Sequence, residues 1–433
     1  MSKKVSLSVL IFTVLVAILI SFMGAYAVSS SMYRQSLIEI QQEYAKTDDS
    51  KLDKILELLS TSALYEIGDD ADFTGLIDWF INETGDKYAH YYSAEDFAAM
   101  NAQNEGKTVG IGVMVIENSD EKAIEITGIM PDSPALEAGI QPGDLIIAVG
   151  AGESRVPVSE LGFEGALKQL KGEEGTTAVF TVRRDGEEKA YSLVRREVEA
   201  LSVMYHVNTV NPKVGVVRLT QFDLTTPGQF AAAMDDLISQ GCEYFIFDVR
   251  YNGGGDLASI TAVLSYILNE GDVVIRTSGR DASQMYSSKV GVVNYPADSA
   301  YSACNVSKED ISKYRSAVYG KCVVLANGST ASAAELFTAA LKDYEIAKVV
   351  GTVTFGKGTM QSIYDLSAFG YDGGLKMTTR MYYPPISEGY NGVGIIPDVE
   401  VELDKSLANK NIYKITDAED NQMMTALGVL GVG

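Results

Sequence analysis

Residues 321–341 read KCVVLANGSTASAAELFTAAL, and this stretch decides the fold. The apolar run at 321–326 predicts a buried β-strand, and the pattern at 331–341 predicts a helix. Between them the chain passes through small residues, which allow another group to approach the backbone closely. A strand that leads straight into a helix is typical of α/β proteins, in which ligands bind outside the carboxyl ends of the strands.

The same alternation extends on both sides of this stretch. Buried strands are predicted at 214–219, 244–249 and 347–353, and a helix with one apolar face is predicted at 227–240. This order predicts a mostly parallel sheet covered by helices, and we assign it to residues 199–404. We therefore expect the functional site at the ends of these strands.

Residues 106–198 differ, because they form short β-rich runs punctuated by glycine and proline. About 90 residues of this kind suffice for an independent domain. A Gly-x-Gly loop, here VGIGV at 109–113, leaves N–H groups free to hold the terminal carboxylate of a peptide. Alternatively, Gly110 and Gly112 relieve crowding within a strand.

The first 28 residues place Lys3 and Lys4 ahead of an apolar run at 5–28. About 20 such residues can cross a bilayer, and the lysines favour a cytoplasmic N-terminus. We expect an uncleaved signal anchor; the alternative is a removed signal peptide, because Ala25-Tyr26-Ala27 resembles a cleavage site. Both interpretations export the remaining chain, which is then membrane-anchored on the extracytoplasmic face or, after cleavage, secreted.

Residues 29–105 carry apolar side chains at helical spacing, which predicts a helical N-terminal segment. A core-forming or dimerising role is expected of such a segment, so a homodimer is among the expected assemblies. Within it, residues 85–97 predict a turn that leads into a serine-capped helix. Residues 405–433 are assigned as a C-terminal tail.

The composition excludes several classes of function. A formal net charge of −23 argues against a nucleic-acid partner. With only His90 and His206 and no C-x-x-C pair, we expect no metal site, and we expect no cofactor. The cysteines Cys242, Cys304 and Cys322 are expected to be buried thiols. The scarcity of histidine also removes the usual general base of a serine hydrolase.

Two of the predicted strand ends carry groups suited to nucleophilic catalysis. The loop NGGG at 252–255 can present backbone N–H groups, with Gly254 and Gly255 as candidate oxyanion donors; a phosphate cradle is the alternative, but the Lys-Ser/Thr of a P-loop is absent. Ser332 starts the predicted helix, where an isolated serine is ordinarily an N-cap. As a nucleophile it would gain from the helix dipole, and the N–H of Ala333 would bond an oxyanion.

The third segment is FGKG at 355–358, in which Lys357 lies between two glycines. A lysine is ordinarily a surface residue. Burial lowers the pKa of a lysine from about 10.4 toward about 7–8, so that it can take a serine proton, as in the Ser-Lys variant of the catalytic triad. If the segment is extended, Gln361 shares the face of Lys357 and orients it through hydrogen bonds.

These segments resemble the carboxyl-terminal processing peptidases, a Ser-Lys serine protease family with an embedded PDZ domain. The matching motifs are DKY at 86–88 with YYSAEDF at 91–97, SPALEAGIQPGDLI at 133–146, NGGG at 252–255, TASAAE at 330–335, FGKG at 355–358 with Gln361, and GIIPD at 394–398. The departures from the family pattern are Lys87, Tyr92, Gly253, Thr330 and Ala334. None removes a proposed catalytic group, but Gly253 leaves open whether Gly254 or Gly255 completes the oxyanion hole.

The resemblance implies an α/β protease core with an inserted β-rich PDZ domain and a helical N-terminal segment. It implies an endopeptidase with Ser332 as nucleophile and Lys357 as base, which cleaves exported proteins after recognising their apolar C-termini. The PDZ carboxylate loop would be lined by Gly110, Ile111, Gly112 and Val113. The alternative is a catalytically silent peptide-binding or scaffolding protein that keeps the fold.

Overall fold

The computed structural model describes residues 74–279, 283–287, 291–294, 303–407 and 410–433. The predicted anchor at 1–28 and the helical pattern at 29–73 lie outside these ranges. No helix within them is both long and apolar enough to cross a membrane. The chain divides into two compact units, residues 1–75 and 76–433, and the second contains both domains expected from the sequence.

Two helices and a short strand precede the first domain: α1 (Thr74–Glu83), β1 (His90–Tyr92) and α2 (Ala94–Asn104). The predicted serine cap is confirmed, because the Ser93 hydroxyl accepts the Asp96 N–H at 3.1 Å. The described part of the predicted helical segment is thus helical at α1 and α2, with a turn at 84–89 and strand β1 between them, and β1 pairs with a strand of the core.

The first domain, expected from the sequence to be a PDZ domain, consists of β2 (Lys107–Gly110), β3 (Val113–Asn118), β4 (Ala123–Ile129), α3 (Pro134–Glu137), β5 (Leu145–Val149), β6 (Val156–Pro157), α4 (Val158–Leu170), β7 (Thr177–Arg184), β8 (Glu187–Val194) and β9 (Arg196–Glu199). Its main sheet has the order β3-β4-β5-β7-β8, with β6 on β5. Strands β2 and β9 pair antiparallel, with Lys107 opposite Glu199, so the domain is closed where the chain enters and leaves it.

The second domain, the α/β core, consists of β10 (Val203–Val207), β11 (Val214–Leu219), α5 (Thr226–Ser239), β12 (Tyr244–Asp248), α6 (Leu257–Ser265), β13 (Val273–Gly279), β14 (Ser283–Ser287), β15 (Gly291–Asn294), β16 (Ala303–Val306), α7 (Arg315–Val318), β17 (Cys322–Ala326), α8 (Ala333–Asp343), β18 (Ala347–Gly351), β19 (Thr359–Asp365), β20 (Gly374–Tyr383), β21 (Val399–Glu400) and α9 (Asn421–Val429). Short 3₁₀ turns lie at Gly152–Ser154, Leu366–Phe369 and Ile412–Lys414.

The central sheet has the order β10-β11-β12-β17-β18-β21, and every pair is parallel except β10 with β11. All five residues of β17 are buried, as expected for a strand covered on both faces. Alternate residues face opposite sides: Val324 packs in the cluster of Phe247 and Phe337, beneath α5, α6 and α8. Leu325 packs with Leu427 of α9 on the other side.

A second sheet lies beside the central one and is antiparallel. Strand β20 pairs with β19 along most of its length, with β1 at one end and with β13 at the other. The β1 pairing joins residues remote in sequence, with His90 opposite Lys376. This sheet therefore brings the segment just before β1 to the edge of the core, next to the loop that precedes β19.

The residues assigned as a C-terminal tail include α9, which packs against the central sheet. Met423 and Leu427 are buried with Val216 and Ile246. At its N-terminus, Asp420 caps the helix and pairs with the buried Arg250 at 2.7 Å. This segment is therefore an integral layer of the core. The three cysteines are buried and unpaired, which confirms that prediction.

Candidate active site

Ser332 occupies a strained turn between β17 and α8. Its backbone has φ 56° and ψ −120°, a conformation uncommon for a residue with a side chain. Such strain persists only where the surroundings hold it. Here the preceding N–H, of Ala331, donates to the Asn252 carbonyl at 2.9 Å, which ties the turn to the glycine loop. A serine on a sharp strand-to-helix turn is exposed to a substrate, as in other serine hydrolases.

The glycine loop packs directly against Ser332. Gly254 has φ 105°, and its N–H donates to the Asn252 side-chain oxygen at 2.8 Å. That N–H is therefore engaged inside the loop, whereas Gly255 lines the same cavity as Ser332 and Ala333. In the described part of the chain, no hydrogen bond takes up the N–H of Gly255 or of Ala333. Of the two candidate glycines, Gly255 keeps a free donor.

Lys357 lies in the loop between β18 and β19 and is half-buried. Its Nζ lies 4.6 Å from the centroid of the Tyr88 ring, in the segment before β1. Burial lowers the pKa of Lys357 below its ordinary value, and the positive charge of Lys376 lowers it further. The charges of Glu335 and Asp86 oppose this shift without cancelling it. The lysine is thus held in surroundings that favour its neutral form.

A buried carboxylate connects the serine and the lysine. Oε2 of Glu335 accepts the N–H of Ser332 at 2.9 Å and the N–H of Lys357 at 2.8 Å. The carbonyl of Lys357 in turn accepts the hydroxyl of Tyr382. Glu335 and Tyr88 stand out in the sequence only as members of the motifs at 330–335 and 86–88, and nothing there predicts a role for Tyr382. Glutamate three residues after a helix-capping serine is a recognisable spacing, and it was the available signal.

One cavity of about 250 Å³ collects most of the predicted site residues. Ser332, Ala333, Lys357, Gln361 and Gly255 all line it. Its walls are mixed: apolar side chains come from Leu257, Ile260, Ile275, Leu336, Met360 and Ile363, and polar ones from Asn101, Asn104, Asp256, Thr359, Lys376 and Tyr382. Neither histidine is among the lining residues, whereas Lys357 and Lys376 both line the cavity. Of these two lysines, Lys357 shares the Glu335 acceptor with Ser332.

Gln361 lines the cavity, but its amide is directed away from the expected partner. Its nitrogen donates to the hydroxyl of Thr378 at 3.0 Å and to that of Thr359 at 3.2 Å. The Thr378 hydroxyl donates to Asp86 at 2.9 Å. A bulge between Met360 and Gln361 interrupts the strand alternation on which the prediction rested. In this structure Gln361 therefore does not bond Lys357. It belongs to a series of hydrogen bonds that runs through Thr378 to Asp86.

The predicted carboxylate loop of the PDZ domain is a tight turn. Gly112 has φ 79°, and a Cβ there would lie 2.1 Å from the Ser133 Cβ, so only glycine fits. No such crowding applies at Gly110, where nothing lies within 4 Å of an added Cβ. The carbonyls of Ile111 and Gly112 accept the N–H groups of Ala135 and Met130.

Free backbone N–H groups and an unpaired strand edge lie beside this turn. The N–H groups of Ile111 and Gly112 carry no hydrogen bond to any residue that the structure describes. Val113 begins β3, the outermost strand of the PDZ sheet. The Ile111 side chain itself is buried in the domain core, so this residue can serve a ligand only through its backbone. An edge strand beside free N–H groups is the geometry that accepts a peptide C-terminus.

Comparison with known proteins agrees with this geometry. Residues 213–401 match peptidase family S41, and residues 100–181 match the PDZ domain family. A probable CtpA-like serine protease of Staphylococcus aureus (strain COL) is 30% identical over 90% of this chain and 73% of its own length. That of Staphylococcus epidermidis is 28% identical over 88% of this chain and 72% of its own.

Among solved structures, the photosystem II D1 C-terminal processing protease is similar at 23% identity, with a TM-score of 0.44 over 81% of this chain and 86% of that one. The assignment rests on the sequence relatives and the domain matches. The chain belongs to the carboxyl-terminal processing peptidases of family S41 and is a serine peptidase that carries a PDZ domain.

Proposed function

We propose that Ser332 and Lys357 are the nucleophile and the general base of this serine peptidase. The observation that carries the proposal is their common setting. The strained Ser332 and the half-buried Lys357 line one cavity, and the backbone N–H groups of both donate to the carboxylate of Glu335. The lowered pKa of Lys357, which has burial as its main cause, supports its role as a proton acceptor near neutral pH.

The reaction follows from these positions. Neutral Lys357 takes the Ser332 proton as the serine oxygen attacks the peptide carbonyl carbon. The N–H groups of Ala333 and Gly255 bond the resulting oxyanion. The Lys357 ammonium then gives its proton to the leaving amine as the C–N bond breaks, which leaves an acyl-enzyme. Water, deprotonated by Lys357, attacks the ester, and the serine leaves with its proton restored.

The substrates are proteins with apolar C-termini. The free N–H groups of the turn at Ile111 and Gly112 would hold the terminal carboxylate, and the open edge of β3 would pair with the preceding residues. The apolar side chains that form part of the cavity wall suit an apolar side chain beside the cleaved bond. The PDZ domain would thus capture a substrate tail while the chain upstream of it enters the site.

Cleavage by variants tests the proposal. The substrate is an unfolded protein that ends in apolar residues, and the enzyme is the full-length chain. Ser332→Ala and Lys357→Ala should each abolish cleavage while keeping the wild-type melting temperature. Undiminished cleavage by either variant contradicts the dyad. If the wild type binds C-terminal peptides but cleaves nothing, the scaffolding alternative holds instead.

We further propose that the enzyme works on the extracytoplasmic side, anchored by residues 1–28. Lys3 and Lys4 before the apolar run support this orientation. Protease added to intact cells should digest the catalytic domain and leave a cytoplasmic marker untouched. Protection of the domain until the cells are lysed would contradict the proposal.

A homodimer formed through the helical N-terminal segment is the assembly we propose. The support is the helical spacing of apolar residues between 29 and 105, which leaves an apolar face to be covered. Light scattering on the full-length protein in detergent should give twice the chain mass after the detergent is subtracted. A single chain mass would refute the dimer.

A further inference from the structure

Glu335 is fully buried, yet it contacts both halves of the proposed dyad. Its Oε2 binds the N–H groups of Ser332 and Lys357, and its Oε1 binds the Thr354 hydroxyl and the Gly356 N–H, each at 2.6 Å. A carboxylate has room for about four such bonds, so its capacity is filled. Bonds to a charged acceptor are the strong kind.

We propose that Glu335 is a positioning residue that sets the distance between the Ser332 nucleophile and the Lys357 base. The inference rests on the proposed dyad. Ser332 caps the start of α8 and Lys357 lies in the loop before β19, so α8 and β18 separate the two residues along the chain. One backbone bond, from the Phe355 N–H to the Thr330 carbonyl at 3.0 Å, links the two segments beside Glu335. A common acceptor for both backbone N–H groups fixes the two segments against each other at the point where the proton must move.

The bonds of Glu335 exceed what helix capping requires. A capping glutamate at this spacing reaches back to the N–H of the first residue, here Ser332, and needs nothing more. The additional bonds go to Thr354, Gly356 and Lys357, which all belong to the loop between β18 and β19. The Thr354 hydroxyl also accepts the Ile395 N–H at 2.7 Å. The bonds around Glu335, which we call the clamp, therefore extend to the GIIPD motif.

The charge of Glu335 should affect how the activity of the enzyme depends on pH. The groups that face Lys357 are Lys376 on β20, Asp86, Lys87 and Tyr88 before β1, Tyr382 on β20, and Glu335 itself. Because Glu335 is negative, it favours the ammonium form of Lys357. Removing that charge lowers the pKa of the lysine, and the rise of activity with pH then occurs at lower pH.

Two variants separate the position of the carboxylate from its charge. Glu335→Gln keeps the shape and loses the charge: kcat should fall about 10²-fold with KM nearly unchanged, and the acidic limb of the pH–rate profile should move to lower pH. Glu335→Asp keeps the charge but is one methylene shorter: kcat should fall similarly while the acidic limb stays near its wild-type position.

Asp417→Asn is the matched control, because Asp417 is also a buried carboxylate and accepts bonds from Thr209 and His206 outside the cavity. It should lower the melting temperature and leave kcat and the acidic limb unchanged. A wild-type kcat and an unmoved limb in Glu335→Gln would overturn the inference. The same result in Asp417→Asn as in Glu335→Gln would also overturn it, since a general loss of stability would then explain both.

The dyad and the clamp fail in different ways. Activity in Lys357→Ala contradicts the dyad, whereas an inactive Lys357→Ala beside a fully active Glu335→Gln contradicts only the clamp. If Glu335→Gln does not fold, Thr354→Val takes its place, because it removes one bond to Glu335 at nearly constant volume. It should lower kcat by a smaller factor at unchanged KM, and an unchanged kcat would overturn the inference.

Discussion

Gly254 lies so close to Ser332 that a Cβ on the glycine would be 2.7 Å from the serine Cβ. The same added atom would lie 2.8 Å from the Ala331 carbonyl oxygen and 2.9 Å from the Ala333 nitrogen. These neighbours are largely backbone and cannot move aside without moving the nucleophile. The glycine loop therefore does more than present donors, because its bare backbone permits the strained turn at Ser332 to sit against it.

Gly254→Ala should consequently damage catalysis more than folding. The clash and the φ of 105° force the loop away from Ser332, and we expect kcat to fall at least about 10²-fold and the free energy of unfolding to fall by about 1–3 kcal/mol. Steady-state kinetics and thermal melts measure the two effects. The matched control is Gly228→Ala on the exposed face of α5, where an added Cβ meets nothing within 4 Å. Full activity of Gly254→Ala would contradict this account of the loop.

Removing the charge of Lys376 should move the pH dependence of activity upward. After burial, this charge is the largest cause that lowers the pKa of Lys357. In Lys376→Met the pKa of Lys357 rises, so the neutral base forms at higher pH and the acidic limb of kcat/KM shifts upward. Lys213→Met, at an exposed ion pair with Glu243, should leave the limb in place. A downward shift in Lys376→Met would refute the electrostatic argument.

The PDZ turn should tolerate no side chain at Gly112. In Gly112→Ala the new Cβ would strike the Ser133 side chain at 2.1 Å, so the donors of the turn are displaced. Binding of an apolar C-terminal peptide, measured by calorimetry, should weaken at least about tenfold, since each tenfold loss needs only about 1.4 kcal/mol. Gly110→Ala, with open space at its Cβ, should weaken binding much less. Equal effects of both substitutions would argue against the proposed loop geometry.

The buried charges at the end of β12 should contribute to stability above acid pH. Asp248 accepts bonds from Arg250 and Arg218; burial alone would raise its pKa, but the two arginines hold the pKa well below its usual range. A lowered carboxyl pKa stabilises the fold above the unfolded value of 3.8, and this stability is lost as the pH falls through the folded value.

Arg250→Met leaves Asp248 with Arg218 alone and removes the buried arginine that pairs with Asp420, so it should cost about 3–5 kcal/mol at pH 7, as measured by urea unfolding. The difference from the wild type should shrink as the pH falls below 3.8, the unfolded value of Asp248, toward its lower folded value. Lys213→Met serves again as the control, because its exposed pair with Glu243 should contribute nothing measurable. A loss for Arg250→Met no larger than for the control would contradict the argument.

The sequence predicted the central sheet well, for a local reason. A strand buried on both faces is a continuous apolar run, so β17 and β12 are visible without knowledge of their neighbours. The second sheet depends on contacts between residues that are remote in sequence. The Thr378 N–H, for example, donates to Asp86, 292 positions away, and neither local sequence predicts this contact. Helix α9 was missed for the same reason, since its burial depends on Val216 and Ile246.

The proposed pair Ser332 and Lys357 stands out in the sequence because a serine, a lysine and a glycine loop are each conspicuous in a chain poor in histidine. The residues that support this pair could not be predicted, because their roles depend on the groups that surround them in the folded core. Glu335 is an ordinary helix-start residue in sequence and becomes a clamp only when four donors close around it. Gln361 was assigned to Lys357 by strand alternation, and one bulge redirects its amide to Thr378.

Covalent labelling tests the central claim most directly. The full-length enzyme is treated with a small phosphonofluoridate at neutral pH, and the adduct is located by peptide mass spectrometry. The account predicts one adduct on Ser332, formed quickly by the wild type and at least about 10²-fold more slowly by Lys357→Ala, since the lysine must remove the serine proton. An adduct on another residue, or equal labelling rates with and without Lys357, would contradict it.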